Sequence, residues 1–384
     1  MLSIAGLGMG EPNLSRLDLD LDEFDTVVVD KSVELEYQGI LKLGYKDAKE
    51  YILANHDKED ILYLVSGSPL FFSAGVILAK ALPKSQVKII PNSSSKDYLL
   101  QKLFISEADV SVVSLHGRSH LDLEEFFRKR YTFLLCDKDS LKRLQSYLKW
   151  LNHDDYEVTI GYKLGFKDEV IKTISLETDE FDLTKPYVLL IERKFDTKLY
   201  HDDSDFETQR GMITKKLKRN ITLSSLEMKP NEILWDVGSG SGSCAIEAHI
   251  RYRVKTYLFE KQPQRVEFIK QNLKSHKVVD ATLLDGEAQE FFEIIEENPD
   301  KIFLGGGGSE VIKKLPYLYD RLSDGGIMIA HAITLKNLTQ MITVLNKAKL
   351  EYEVSSFSET TFKGKLDMVE PQRQLFVIKF KKTV

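Results

Sequence analysis

The stretch ILWDVGSGSGSCAIEA, residues 233–248, limits the fold more than any other part of this chain. A short apolar strand runs into glycines 238, 240 and 242 and then into small helix formers, so the backbone turns sharply from strand to helix. Glycines at that spacing let a ligand approach the backbone closely, but they do not name it. A formal net charge of −6 argues against a broad nucleic-acid footprint. Cys136 and Cys244 lie far apart and match no zinc spacing, so a reduced compartment and no metal are expected.

Strand-like and helical runs alternate almost throughout, the pattern of an α/β protein, and 384 residues exceed one ordinary core. LSIAGLG, TVVVD, DILYLVSGSPLF and VKIIP read as strands of a first lobe. A second lobe begins near residue 108 with DVSVVSL and YTFLLCD, continues through YEVTIGYKLG and closes with PYVLLIER. FDTKLYHDDSDFETQRG is then polar, acidic and aperiodic, with the texture of a linker. A new α/β unit follows and ends in a closing pair of strands, EYEVSSFSETTF and QLFVIKF. We therefore expect two domains, 1–197 and 198–384. The start, MLSIAGLGMGEPNLS, has no basic leader and too short an apolar run for a signal peptide. No apolar stretch approaches a membrane span, so a cytoplasmic protein without membrane partners is expected.

Two ligands compete for the glycine turn. Gly240-x-Gly242-x-x-Ala245 satisfies the loose dinucleotide pattern, with Glu260 as the later acid. Asp236-x-Gly238-x-Gly240-x-Gly242 resembles instead the turn of class I methyltransferases, which bind S-adenosyl-L-methionine. Charge favours the second reading. A pyrophosphate wants unopposed backbone N–H groups, and a carboxylate two residues ahead of the first glycine repels it. S-adenosylmethionine has no phosphate and carries an ammonium group. On that reading Gly238, Ser239, Gly240, Ser241 and Gly242 cradle the cofactor, and Asp236 lies near its charged end. Glu260 accepts the ribose hydroxyls, while Glu287 and Ala288 flank the adenine. A plain tight turn and a dinucleotide remain the alternatives.

GMITKKLKRNITLSSLEMKPNEILWDVGSGSGSCAIEA as a whole resembles the decarboxylating precorrin C15-methyltransferases of cobalamin biosynthesis. So do FLGGGG at 303–308 and HAITLKNL at 331–338. In the front half, GLGMGEPNLS, SGSPLFFSAG, IPNSSSKDYLLQKL and VSLHGR are similar, in order, to the landmarks of the tetrapyrrole C-methylase family. Together they resemble the fused C5,15-methyltransferases. The resemblance implies a two-lobed tetrapyrrole methylase fold followed by a class I, Rossmann-like methyltransferase domain. It also implies cofactor contacts at Thr214 and Gly305, and at Gly67, Ser68, Phe71, Ser94 and Ser95 in front. Three front positions depart from the pattern: Met9-Gly10-Glu11 for Pro-Gly-Asp, Ser68 for aspartate, and Asn92 for the loop glycine. His331 stands where the pattern often has asparagine.

Methyl transfer to a carbon is an in-line displacement, so the protein mainly aligns the reactants and excludes water. At C15 the resemblance implies coupled loss of carbon dioxide from a neighbouring acetate. We assign no catalytic base, although His331 could manage a proton. A tetrapyrrole carries several carboxylates, so Lys215 and Arg219 in the GMITK run, and Arg118 in LHGRSH, are candidate substrate contacts. Gly306, Gly307 and His331 complete that set. A solvated helix face is the ordinary alternative for the basic run, and an ion pair for Arg118. Cys244 reads as packed core, Glu247 as a plain helix residue, and His116, His120 and His249 as structural or exposed. An RNA methyltransferase is the competing function, and a non-catalytic front domain the third. The resemblance further implies self-association into a homo-oligomer.

Overall fold

The computed structural model describes residues 1–384 apart from 15, 16, 18, 32, 36, 37, 211, 307, 364–367 and 384. The chain forms two compact units. The first comprises Met1–Ser119, Lys129–Leu141 and Glu157–Glu192, and the second His120–Arg128, Lys142–Tyr156 and Arg193–Val384.

The first unit holds two five-stranded sheets. Strands β1 (Leu2–Gly6), β2 (Thr26–Asp30), β3 (Ile40–Leu43), β4 (Ile61–Val65) and β5 (Val87–Ile90) lie in the order β3-β2-β4-β1-β5, all parallel. β1 and β4 are buried along their whole length, which is why their sequences are apolar apart from Ser3 and do not alternate. Helices α1 (Tyr45–Asn55), α2 (Ala74–Ala81) and α3 (Ser95–Leu103) accompany this sheet. The second sheet contains β6 (Val110–Ser114), β7 (Tyr131–Leu135), β8 (Tyr156–Tyr162), β9 (Val170–Ile174) and β10 (Tyr187–Arg193), with α4 (Ser140–Tyr147) following β7. β3 and β9 were not legible in the sequence, because both are partly exposed and interrupted by lysine.

The second unit is built on one seven-stranded sheet. Its elements are α5 (Lys216–Ser225), β11 (Ile233–Val237), α6 (Ser243–Tyr252), β12 (Lys255–Glu260), α7 (Pro263–Ser275), β13 (Ala281–Asp285) and α8 (Ala288–Phe291). There follow β14 (Lys301–Leu304), α9 (Gly308–Lys313), α10 (Leu315–Arg321), β15 (Ile327–Ala332), α11 (Leu335–Lys347) and β16 (Glu353–Phe357). A hairpin of β17 (Thr360–Lys363) and β18 (Met368–Pro371) precedes β19 (Leu375–Lys381). The order is β13-β12-β11-β14-β15-β19-β16, parallel except that β19 runs antiparallel to both neighbours. That order is the class I methyltransferase sheet. β16 and β19 are the closing pair, and the hairpin between them is an addition the sequence did not announce.

The acidic stretch after β10 is not a loose linker. Phe206 is buried among Ile246, Leu258 and Ile269, and His201 is buried beside it. Asp202 and Asp205 close a capping box around a short 3-10 turn, while Asp203 bonds Arg219 and the backbone N–H of Lys216. Each of these acids is paired with a cation or a backbone N–H group, so composition alone misrepresents them. Residues 120–128 and 142–156 also pack with the second unit: Trp150 Nε1 donates to the Ala281 carbonyl at 2.8 Å, and Leu123 N–H donates to Asn231 Oδ1 at 2.7 Å.

Candidate active site

β12, β11, β14 and β15 are successive parallel neighbours, so their carboxyl ends and the turns that follow share one edge. Gly238, after β11, touches Gly306, after β14: a Cβ on Gly238 would lie 2.9 Å from the Cα and carbonyl carbon of Gly306. Gly238 also has φ +75°, so sterics and backbone both demand glycine. The Gly305 N–H donates to the Val237 carbonyl at 3.0 Å and fastens the second glycine segment to the first. At Gly240 an added Cβ would meet nothing within 4 Å, so the turn is open on that side. Gly307, expected to contact the substrate, lies outside the described residues, as does Gly211 of the GMITK segment.

Asp236 shares the face of β11 that carries Leu234, the side of α6, and is 1% exposed. Its carboxylate accepts the Ala245 N–H at 3.2 Å, in the first turn of α6. Burial pushes this carboxyl up to about 7 against the Ala245 bond, and the Glu260 charge adds to the rise. The expectation of direct cofactor contact is therefore corrected: Asp236 is sealed beneath the turn. It occupies the helix N-terminus that a pyrophosphate would need.

Glu260, at the end of β12, is held by three backbone donors. Oε2 accepts Gly240 N–H at 2.9 Å, and Oε1 accepts those of Lys261 and Gln262 at 3.0 and 2.9 Å. The carboxylate is thus fixed against the open part of the turn. Glu287 caps α8 and pairs with Lys261 at 2.9 Å, which holds its carboxyl below the usual range, while Ala288 is buried behind it. Ser239 Oγ donates to the Asp236 carbonyl at 2.6 Å, and Ser241 is buried. The Ser241 carbonyl accepts Asn272 Nδ2 at 2.8 Å, and the same buried amide exchanges two bonds with the Glu207 backbone. Sequence reasoning missed Asn272. A polar residue on the buried Val266–Ile269–Leu273 face of α7 was the available signal.

The basic run resolves unevenly. Arg219 is completely buried and ringed by acceptors: Nε donates to Glu247 Oε1 at 2.9 Å, Nη1 to Asp203 Oδ1 and the Thr214 carbonyl, and Nη2 to the His201 carbonyl, with Glu247 Oε1 also 2.9 Å from Nη2. Its predicted substrate contact is corrected, since the guanidinium is closed off from any ligand. Glu247 is likewise more than a helix residue. Thr214 is half-buried and fixed through that carbonyl, and Lys215 stays partly exposed with Nζ 3.5 Å from Asp203.

His331, on β15, meets α5. Its Nε2 lies 2.8 Å from Thr222 Oγ1, and its ring sits edge-to-face with Phe303 at 4.7 Å. Burial, and then the charge of Lys218, lowers its pKa to about 3. Thr222 was also missed. Cys244 is packed core, its thiol pushed up by burial. His249 is structural: Nδ1 pairs with the Val254 carbonyl at 2.9 Å, and Nε2 accepts the Val279 N–H at 3.2 Å.

In the first unit three landmark loops meet. Gly8 and Gly67 exchange backbone hydrogen bonds of 3.1 and 2.9 Å, and Asn92 Nδ2 donates to the Gly6 carbonyl at 2.9 Å. Asn92 thus fills the space beside two glycines, where a Gly8 Cβ would lie 2.8 Å from its Oδ1. Ser68 is half-buried in this cluster. Phe71 turns inward, 5.9 Å from Phe133, and Ser94 is buried and spent on the α3 capping box with Asp97, so side-chain contact from Ser94 to a cofactor is corrected. Ser95 opens α3, half-buried, and Arg118 is exposed.

A family model described as precorrin methyltransferase domain matches residues 205–382, and one described as tetrapyrrole (corrin/porphyrin) methylases matches 16–178. A precorrin-6Y C(5,15)-methyltransferase (decarboxylating) of Sinorhizobium sp is 31% identical over 286 residues, covering 71% of this chain and 68% of its own. The chain belongs to this family. A probable cobalt-precorrin-6B C(15)-methyltransferase (decarboxylating) of Pyrobaculum aerophilum is 31% identical over 157 residues, 40% of this chain and 80% of its own. The solved structure of a precorrin-6y C5,15-methyltransferase from Geobacter metallireducens is 30% identical, covers 49% of this chain and all 100% of its own, and has a TM-score of 0.46. The chain itself joins a segment matching the tetrapyrrole methylase model to one matching the precorrin methyltransferase model.

Proposed function

We propose that the chain methylates a precorrin twice with S-adenosylmethionine, at C5 through residues 1–197 and at C15, with decarboxylation of an acetate, through residues 198–384. The observation that carries this is the Gly238–Gly306 contact beside an open Gly240 and a fixed Glu260 carboxylate. Those residues fit the cofactor: there is room for a ligand against bare backbone, an acceptor for two hydroxyls, and an α6 N-terminus already neutralised by Asp236. When bound, the sulfonium supplies an electrophilic methyl group.

The chain's own part is positioning. Glu260 accepts the ribose hydroxyls, Gly238 and Gly305 give passage to the ligand, and Lys215 meets a substrate carboxylate. Thr214 is held at the site by its bond to buried Arg219. In the first unit, Gly67, Ser68 and Ser95 contact the second cofactor and Arg118 a substrate carboxylate. The reading includes self-association, a cytoplasmic location and no nucleic-acid partner. Among the described residues no helix is long and apolar enough to cross a membrane.

Mass spectrometry after incubation with a precorrin-6-type substrate and S-adenosylmethionine tests it. Two added methyls with loss of carbon dioxide are expected. One methyl with that loss leaves the second unit working alone, and methylated RNA with no tetrapyrrole product overturns the assignment.

A further inference from the structure

The side chains of Thr222 and His331 define a hydrogen-bond direction. Thr222 Oγ1 is 2.8 Å from the Lys218 carbonyl and 2.8 Å from His331 Nε2. A carbonyl oxygen only accepts, and a threonine hydroxyl has a single proton. That proton goes to Lys218, so His331 must donate Nε2–H to Thr222. The ring is thereby the Nε2–H tautomer, and Nδ1 keeps an unshared lone pair. Among the described residues Nδ1 has no partner, and it is not sealed from the surface as His201 Nδ1 is. His331 stands near the carboxyl end of β15, next to β14 and its glycine segment.

We propose that Thr222 is a positioning residue that fixes His331 as a neutral acceptor, and that Nδ1 receives a hydrogen bond from a proton-bearing group of the tetrapyrrole. This rests on the C15 reading above. Chemistry narrows the group. A carboxylate offers no proton and would be repelled by the lone pair. Proton abstraction from carbon wants a base near the working pH, whereas burial holds this imidazole neutral far below that. Lys218, whose Nζ is bonded to the Arg373 carbonyl, adds positive charge nearby and keeps the ring neutral. An asparagine would preserve the acceptor, since Asn Oδ1 can stand where His Nδ1 does. A macrocyclic N–H and an un-ionised carboxyl O–H share the required chemistry.

The test uses the full chain and precorrin-6Y. His331→Leu should raise the KM for the tetrapyrrole about three- to ten-fold, the worth of one neutral hydrogen bond, with S-adenosylmethionine affinity unchanged. His331→Asn should restore most of that loss. Without any ligand, 15N spectra of the histidine rings should show His331 protonated on Nε2, and Thr222→Val should abolish that preference. A KM that rises as pH climbs through the carboxyl range identifies the O–H donor, and a flat profile identifies the N–H. Equal KM for the Leu and Asn variants, or a proton found on Nδ1, overturns the proposal. A wild-type chain that neither binds nor methylates precorrin-6Y overturns the C15 reading instead, and the ring spectra separate the two failures.

Discussion

Arg219 Nε and Glu247 Oε1 lie 2.9 Å apart with both side chains closed off from solvent, so α5 and α6 are joined by a buried ion pair. The same guanidinium holds the Thr214 and His201 carbonyls, which gathers residues 201–219 around one charge. Removing one partner leaves the other buried and uncompensated. Arg219→Met should cost about 3–5 kcal/mol of stability, measured by urea unfolding of the full chain. If Arg219 were instead a substrate contact, the variant would fold with wild-type stability and show only a raised KM.

The two glycines of the turn should answer alanine differently. At Gly238 the new Cβ meets the Gly306 backbone at 2.9 Å, and backbone cannot step aside as a flexible side chain can. Gly238→Ala should be destabilising by roughly 2–4 kcal/mol from clash and left-handed strain together. At Gly240 the space is empty, so Gly240→Ala should cost only about 1 kcal/mol for its φ of +62°. The new methyl would then project where the cofactor approaches. Calorimetry should show a folded Gly240→Ala protein with cofactor affinity reduced at least about ten-fold, an effect of about 1.4 kcal/mol. Unchanged affinity would remove Gly240 from the cofactor site.

What the sequence disclosed and what it hid follow from the range of the interactions. The turn at 238–242 was legible because its glycines answer a local steric demand. The α/β class followed from the resemblance and from alternating strands and helices, while the order of strands in each sheet did not. Asp236 was legible as an acid beside the turn, but its contact with Ala245 depends on which face of β11 it occupies. The acidic 202–205 run and the basic 215–219 run each resemble solvated surface when taken alone. They neutralise one another in space, through Asp203 with Arg219 and Asp202 with Lys216, and only the fold reveals that. Asn272 and Thr222 are single polar residues on apolar faces, ambiguous until their partners are known.

Acid should weaken the second unit through His249. Burial lowers its pKa to about 4, below an ordinary value of 6.5. The unfolded chain therefore binds the proton more readily, and the stability contributed by the neutral ring is complete above about pH 6.5 and lost as pH falls toward 4. Between pH 7.5 and pH 5 the loss is about 2 kcal/mol for this group. His276, also lowered to about 4 by burial, acts in the same direction. Asp236, raised to about 7, acts oppositely, since its contribution is lost as pH rises from its unfolded value through 7. Comparing His249→Gln with the wild type by urea unfolding isolates the histidine. The stability gap between them should narrow by about 2 kcal/mol on going to pH 5. A gap independent of pH would mean that His249 is not buried neutral.

The proposed function gives the chain two cofactor sites, and Glu260 is a means of separating them. Its carboxylate is held at the second-unit turn, and its hydrogen-bond and ion-pair partners among the described residues all lie in that unit. The wild-type chain should bind two equivalents of S-adenosylmethionine in calorimetry. Glu260→Ala should lose two bidentate hydroxyl contacts and about 2–3 kcal/mol of binding free energy, enough to remove one equivalent from the accessible range. The remaining equivalent then reports on the first unit alone, where Ser68 offers only an uncharged hydroxyl. In that background Ser68→Asp should tighten binding by supplying a charged acceptor, by about 1 kcal/mol or somewhat more. No binding at all by the Glu260→Ala chain, with or without Ser68→Asp, would show that the first unit holds no cofactor and that methylation at C5 is not its work.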